Sequence, residues 1–395
     1  MSPGGRRAIT LVLGHAVLIQ AITFAMRPTL SYAVLATGGE AALLGVVSAA
    51  FAVPALILAL PVGHATDRIG ERTSMVIGGG CLVVAALLAA FARGSLVALF
   101  AATVLLGIGH LFSVVGEQSI MASSTGRGSF DSRFGLYTFA GSLGQTLGPL
   151  LLALPGGTAA TPPLDLIFFA CAVIAAVILV VSVMVRSSER LAGGARPGML
   201  ATARGLLRTR GLPRALLASS IVLASVDLFI AYLPALGHER AMAAAVVSAM
   251  LVARSMFSMF SRLFLGRMVR LLGRKVLMVW TIAASAVALG ALALPLPVAW
   301  LLVLSAVYGF AIGTCQPITM SWISELAPPG TRGLAMSLRL ASNRLGQTAL
   351  PAALGVFASA TGAAGVLVAS AVVLVGAAWS SAAVGNSEGV SGAAE

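Results

Sequence analysis

The sequence predicts an all-α integral membrane protein of twelve transmembrane helices, built as two six-helix halves. Three observations carry this. The chain is 59% hydrophobic and only 9% charged, against roughly 25% charged in a water-soluble domain. Its apolar residues fall in long runs, and about twenty such residues cross a bilayer as a helix. Two short motifs also recur half a chain apart.

Backbone groups in lipid must be satisfied within their own segment, so each long apolar run reads as a helix. The first six runs are 8–34, 41–62, 73–92, 95–121, 133–154 and 164–185. A polar stretch at 187–213, rich in Arg and Gly, follows. Six more runs come after it: 214–236, 241–265, 275–295, 298–322, 333–358 and 361–383. The domains are therefore an N-terminal half (1–186), a cytoplasmic linker (187–213) and a C-terminal half with a short tail (214–395). The opening run follows Arg6-Arg7 but is longer than a signal-peptide core and lacks a small-x-small site, so it reads as an uncleaved first helix. In the linker, Arg204, Arg208 and Arg210 stand beside Leu200, Leu206 and Leu207. That pattern fits a short helix on the inner leaflet or a solvated tether equally well.

The net charge is +13, and Lys275 is the only lysine. The arginines cluster at the ends of apolar runs rather than along a stripe with interleaved aromatics, which argues against nucleic acid as the partner. Their placement is a topology signal. With the N-terminus inside, the outer segments hold only Arg93 and Arg240, while Arg27, Arg254, Arg339 and Arg344 fall within spans. The expectation is a bacterial cytoplasmic (inner) membrane, both termini cytoplasmic, a monomer, and contact with anionic lipid. Cys81, Cys171 and Cys315 are odd in number, lie inside apolar runs and show no CxxC spacing, which fits buried thiols better than disulfides or zinc. No phosphate-binding loop, nucleophile elbow or zinc signature occurs, so neither an enzyme nor an ATP-driven pump is expected, and no cofactor. No filter sequence points to a channel.

GHATDRIGER (63–72) aligns with GRMVRLLGRK (266–275) at an offset of 203, and SLGQTLGP (142–149) with RLGQTALP (344–351) at an offset of 202. The first pair follows the second helix of each half and the other lies in the fifth. Because six is even, the halves are repeats in the same orientation. Duplicated halves with a site between them are the mark of secondary transporters.

On these residues the chain resembles the major facilitator superfamily, whose second-to-third-helix hinge reads approximately G-x-x-x-D-R-x-G-R-K/R. Gly63, Asp67, Arg68, Gly70 and Arg72 match, and Glu71 departs from the usual basic residue. The resemblance implies a cytoplasmic gate. In it Asp67 would sit near the start of the eleventh helix, where a carboxylate is favourable by roughly 0.3–1 kcal/mol. Arg68 and Arg72 would meet cytoplasmic acids, with Gly266 and Gly273 in the second copy. Glu117, near the cytoplasmic end of the fourth run, reads by its depth as pairing with Arg68, Arg72 or Arg133 in that gate, with carrying protons as the alternative, and Glu325 with Arg332 would close the same gate. The other reading of these charges is topology and register alone.

Ionisable residues inside spans usually face a cavity or each other. Asp227, deep in the seventh run, is the leading candidate for proton coupling or for binding a cationic substrate group, and a static pair with Arg254 is the alternative. Arg344 lies on a polar stripe with Arg339, Asn343 and Gln347; its fork suits a carboxylate or phosphate, while Arg339 reads as reaching headgroups or bonding between helices. Arg27, beside Pro28, faces either the cavity or the outer interface. His110 is a cavity candidate by resemblance, as is His15, although packing is the default for a lone buried histidine. Gln118 parallels Gln316. Gly309 and Gly313 read as close helix packing.

Gly144, Gly148 and Pro149 fit part of the glycine-proline motif of the drug/proton antiporter branch, but Leu152-Ala153 replaces its closing glycines and Thr103 or a neighbour stands where helix four usually carries arginine. His238 and Met242, with Met250, Met256 and Met259, loosely resemble a copper-importing branch, although core packing explains the methionines. The expectation is a proton-coupled transporter of a small organic solute, anionic or amphipathic. Export by antiport is the first reading. Symport uptake of an organic acid, a non-transporting receptor or scaffold, and copper import are the alternatives.

Overall fold

The computed structural model describes residues 3–123, 130–153, 160–185, 204–209, 211–326 and 332–382. The linker expectation at 187–203 lies outside the described residues, as do the side chains of Asp67, Arg133, Glu325 and Arg332; beside that gap, a turn of helix spans 204–207.

The N-terminal half comprises α1 (Pro3–Ala36), α2 (Ala41–Ile69), α3 (Glu71–Phe91), α4 (Leu96–Ser123), α5 (Phe130–Leu147) and α6 (Leu164–Met184). The C-terminal half comprises α7 (Leu212–Glu239), α8 (Ala244–Leu272), α9 (Arg274–Ala291) and α10 (Val298–Leu326). Helical structure over Arg332–Ala382 breaks at Gly362 (φ 65°, ψ −171°), dividing it into α11 (332–361) and α12 (363–382). Glu239 Oε1 accepts the Ala363 N–H at 2.8 Å, which satisfies an orphan donor at the start of α12 and places a carboxylate at the positive end of its dipole. Among the described residues, ten helical segments are long and apolar enough to cross a membrane, the last of them (Leu338–Ala382) containing both α11 and α12.

The helices overrun the apolar runs. The ten-residue charged hinge read from sequence is a single residue. α2 continues to Ile69 and α3 starts at Glu71; α8 continues to Leu272 and α9 starts at Arg274. Hydropathy marks where lipid ends, whereas a helix continues into water until its backbone is turned. Gly70 (φ 88°, ψ 153°) and Gly273 (φ 73°, ψ 153°) turn it in nearly the same way, in a region essentially reserved for glycine. Gly63 and Gly266 lie in the helices before each turn; a Cβ added at Gly63 would meet open space, and one at Gly266 would make only an ordinary contact with Arg270 Nη1 at 4.0 Å. The fifth run also changes character: α5 tightens into a 3-10 stretch at Gly148–Ala153, which contains Pro149.

Equivalent helices pack alike. α5 lies against α1, and α11 against α7. Gly144 sets the first contact, where a Cβ would fall 2.8 Å from Gln20 Cβ and against the Val17 carbonyl. Gly346 sets the second, where a Cβ would fall 3.0 Å from the Ser220 carbonyl. These glycines belong to the repeated LGQT tetrapeptide, so the repeat in sequence is a repeat in packing.

The halves meet along α1–α7, α2–α7, α2–α11 and α5–α8, the last continued by the 3-10 stretch. Several of these contacts lie at the end of the bundle where α1 finishes, called here the far end; the opposite one is the hinge end. At the far end Gly45 of α2 packs on α11, where a Cβ would lie 2.7 Å from Gly355 Cα. Ser248 Oγ of α8 donates to the Pro149 carbonyl at 2.6 Å. Two residues expected outside are structural there: Arg240 bonds the carbonyls of Leu292, Ala293 and Leu294, and Arg93 pairs with Asp165 at 2.6 Å.

Candidate functional site

Between the halves lies a central cavity of about 170 Å³, lined from α1, α2, α4, α5, α7, α8, α10 and α11. The repeat places matching residues on it. Gln145 and Gln347, third in each LGQT, both line it. The threonines after them bond back one turn, Thr146 Oγ1 to the Ser142 carbonyl at 3.0 Å and Thr348 Oγ1 to the Arg344 carbonyl at 2.9 Å.

Four arginines and one carboxylate line the cavity: Arg27, Arg254, Arg262, Arg344 and Asp227. Arg27 and Asp227 form an ion pair across the halves, Nη1 donating to Oδ1 at 2.7 Å. Both are buried, Arg27 at 7% and Asp227 at 3% exposure. Arg27 Nη2 also donates to Ser48 Oγ at 3.4 Å, and its guanidinium stands 4.6 Å from the centre of the Phe51 ring. Asp227 is therefore not held by a static pair with Arg254, and Arg27 does not reach for the outer interface.

Arg254 faces the same cavity. Its Nη2 donates to Ser255 Oγ at 2.6 Å, its guanidinium lies 5.5 Å from the Phe24 ring, and its buried Nε has no partner. Gly309 of α10 packs on its backbone, a Cβ there falling 2.6 Å from Arg254 Cα, so α10 fixes the position of this arginine. Arg262 donates through Nη1 to Ser142 Oγ of α5 at 2.6 Å and through Nη2 to Gln316 Oε1 at 3.4 Å. Arg344 donates to Gln347 Oε1 at 3.2 Å. His110 borders the cavity 5.6 Å from Phe51, ring to ring, with Gln20 Nε2 at 3.4 Å from its Nε2. Gln145 Nε2 donates to Gln20 Oε1 at 3.4 Å.

The other expectations are distributed elsewhere. Asn343 is buried but is not among the cavity residues. Arg339 is buried rather than reaching headgroups. Gln316 lines the cavity; Gln118, its expected parallel, does not. Arg68 and Arg72 are exposed. Glu117 does not pair with them: its Oε1 stands 2.5 Å from His15 Nδ1 and its Oε2 accepts from the Tyr137 hydroxyl at 2.7 Å, buried within the N-terminal half. Its depth is set by α4 running on to Ser123, which leaves it a turn and a half inside the bundle. His15 is accordingly partnered, not a lone packing residue.

Sequence reasoning passed over Arg262, Ser142, Gln20 and Gln145 as site residues. Arg262 lies five residues before Arg267 of the basic hinge; its register eight residues after Arg254 was the available signal, since i and i+8 share a helix face.

The description Major Facilitator Superfamily fits this chain by its family model, which matches residues 12–240 and again 215–388. The chain belongs to that superfamily. Its fold is similar to that of a mutant of nucleoside transporter NupG, at TM-score 0.77 and 14% identity, over 94% of this chain and 98% of that one. It is likewise similar to peptide transporter POT in complex with sulfate, at TM-score 0.75 and 16% identity over 94% and 93%. A D-xylose-proton symporter gives TM-score 0.76 and 17% identity over 95% and 97%. No curated relative matches the sequence. This superfamily protein is a secondary transporter with many membrane spans, not an enzyme.

Proposed function

We propose that this transporter moves a small organic anion in a proton-coupled cycle, with Arg27–Asp227 as the coupling pair. The observation that carries the reading is the cavity's charge: four arginines against one carboxylate. Buried charges need partners, and among the described residues Arg27 is the one cavity arginine paired with a carboxylate; the surplus cations await an anion from outside. At about 170 Å³ the cavity is smaller than the roughly 300–1,000 Å³ of drug-sized sites, which limits the solute to a small one. Gln20, Gln145, Gln316 and Gln347 supply neutral polar contacts, and Phe24 and Phe51 flank its apolar part.

The coupling follows from the pair. Protonating Asp227 neutralises the carboxylate and releases Arg27, so the cavity becomes more positive and the ion pair across the halves is lost. Proton and anion then favour the same loaded state, which is the thermodynamic signature of symport and supports uptake. Export by antiport is the second reading, supported by Gly144, Gly148 and Pro149 at the α1–α5 contact, where the partial antiporter motif sits. With the hinge end cytoplasmic, as the arginine bias implies, far-end packing at Gly45 and Ser248 makes this conformation closed to the outside. Gly70, Gly273, Arg68 and Arg72 then lie at the cytoplasmic gate with Gly63 and Gly266.

The experiment is ligand stabilisation of the purified transporter. A ligand that binds only the folded state adds RT ln(1 + [L]/Kd), about 2.7 kcal/mol at a hundredfold excess over Kd. The melting point is followed with a panel of small mono- and dicarboxylates, phosphate esters, amines and sugars. Stabilisation by anions that disappears in Arg254→Gln is expected; stabilisation by amines or sugars alone contradicts the proposal.

A further inference from the structure

The charge of the central cavity is divided unevenly between the two repeats. At the offset of 203 that aligns the hinges, Arg254 and Arg262 of α8 stand where the N-terminal half has Phe51 and Ala59. At the offset of 202 that aligns the LGQT segments, Arg344 of α11 stands where it has Ser142. Three cavity arginines therefore have neutral counterparts in the other half, while the fourth, Arg27, is neutralised by Asp227. The other acids whose side chains are described do not answer them. Glu117 is engaged with His15 and Tyr137, Asp165 with Arg93, and Glu239 with the Ala363 N–H. None of these lines the cavity, and neither does Glu40 or Glu71.

The three arginines form two poles. Arg254 and Arg262 share α8, which packs on α10 and α5, and Arg262 reaches Ser142 of α5. Arg344 belongs to α11, which packs on α7 and α2. The α5–α8 and α2–α11 contacts are different seams between the halves, so the poles belong to different sides of the cavity. Each pole has donors to spare. A guanidinium carries five N–H groups. Among the described residues, Arg254 makes one hydrogen bond, to Ser255 Oγ, and its buried Nε has no partner. Arg344 makes one, to Gln347 Oε1. Both acceptors are neutral, so the charge of each pole is unanswered. A solute with one carboxylate answers one pole and leaves the other as an unpaired cation, which is costly away from water.

We propose that the solute is a dicarboxylate, held with one carboxylate on Arg254, beside Arg262, and the other on Arg344. This inference rests on the anion reading of the cavity and narrows it. The planar fork of arginine suits a carboxylate at each end, through paired N–H donors. Phe24 and Phe51, which line the same cavity, offer apolar contact to the carbon chain between the two charges. A phosphate ester carries both of its charges on one group and answers one pole only.

The test is titration calorimetry of the purified transporter at about pH 7, where carboxylates are ionised. The probes are succinate, glutarate and adipate, the monomethyl ester of each, and methyl phosphate. Hydrogen bonds to a charged group change affinity by about 10- to 100-fold. At least one diacid is therefore expected to bind wild type about tenfold or more tightly than its own ester. Arg344→Gln is expected to bring that diacid down to the affinity of the ester while changing the ester little. If Arg344→Gln does not fold, Arg344→Lys, which keeps the charge but loses the fork, should lose part of the diacid's advantage, and the wild-type comparison stands without either variant. Equal affinities for diacid and ester overturn the two-pole inference and leave the anion reading standing. Methyl phosphate binding more tightly than every diacid overturns the separation of the charges. A diacid advantage that survives intact in Arg344→Gln overturns the assignment of the second pole to α11. No binding by any of these anions overturns the anion reading itself, and this inference with it.

Discussion

The Arg27 guanidinium and the Asp227 carboxylate meet at 2.7 Å across the boundary between the two halves, buried on both sides. The bond joins α1 to α7, the first helices of their respective repeats. A buried pair of this kind adds little net stability when intact but is costly to break from one side, about 3–5 kcal/mol, because a lone buried charge remains. Such a bond is suited to a protein that must break it on a cue from the solvent.

That asymmetry gives the first prediction. Arg27→Ala lowers thermal stability more than Arg27→Ala/Asp227→Ala, because the double variant leaves no orphaned carboxylate. The cycle is read from denaturation midpoints in one detergent, and a double variant as unstable as the sum of the singles would show that the two residues do not interact.

The hinge glycines differ in kind. Gly70→Ala and Gly273→Ala each force a side chain into backbone near φ 88° and φ 73°, at a cost of about 1–3 kcal/mol. The hinges belong to different halves, so their costs add. Gly63→Ala and Gly266→Ala sit in ordinary helix with room for the added carbon, where alanine gains up to about 1 kcal/mol over glycine. Melting points of the four variants should therefore divide by position within the motif, and equal destabilisation of all four would refute this account of the hinge.

Far-end closure depends on Gly45. Gly45→Val puts a branched side chain where Gly355 Cα and the Tyr232 hydroxyl now lie within 2.7 and 3.0 Å of the first added carbon. The α2–α11 contact must then open. A cysteine placed at buried Ser31 should react with a membrane-impermeant maleimide applied from the far side several times faster in the Gly45→Val background. An unchanged rate means that this contact does not seal that end.

Arg254 has a partner-free Nε facing the cavity. A hydrogen bond to a charged group is worth about 1.5–3 kcal/mol. Arg254→Gln should thus weaken anion binding by about 10- to 100-fold, and Arg254→Lys should recover only part of it, since lysine lacks the planar fork. Titration of the best anion from the panel measures both.

The sequence's apolar runs and the two offsets near half its length were enough to read the architecture, because lipid imposes long helices and duplication copies their spacing. Helix ends were less legible: at Gly70 and Gly273 the charges run on past the membrane while the helix does too. Within the site, Asp227, Arg254 and Arg344 stood out because a charge within an apolar run has few explanations. Their partners did not stand out. Asp227 bonds Arg27, 200 residues away, and Glu117 bonds His15, 102 residues away; neither pairing leaves a mark on local spacing. Arg262 was hidden by its nearness to the basic hinge, although its side chain reaches inward to Ser142.

The central claim is that protonation of Asp227 is coupled to anion movement. The direct measurement is proton flux in proteoliposomes carrying a trapped pH dye, with small organic anions added one at a time to wild type and Asp227→Asn. The account predicts that at least one anion drives proton movement with wild type, that the direction is with the anion, and that Asp227→Asn abolishes it while still exchanging that anion. Equal anion-driven proton movement in wild type and Asp227→Asn would contradict it.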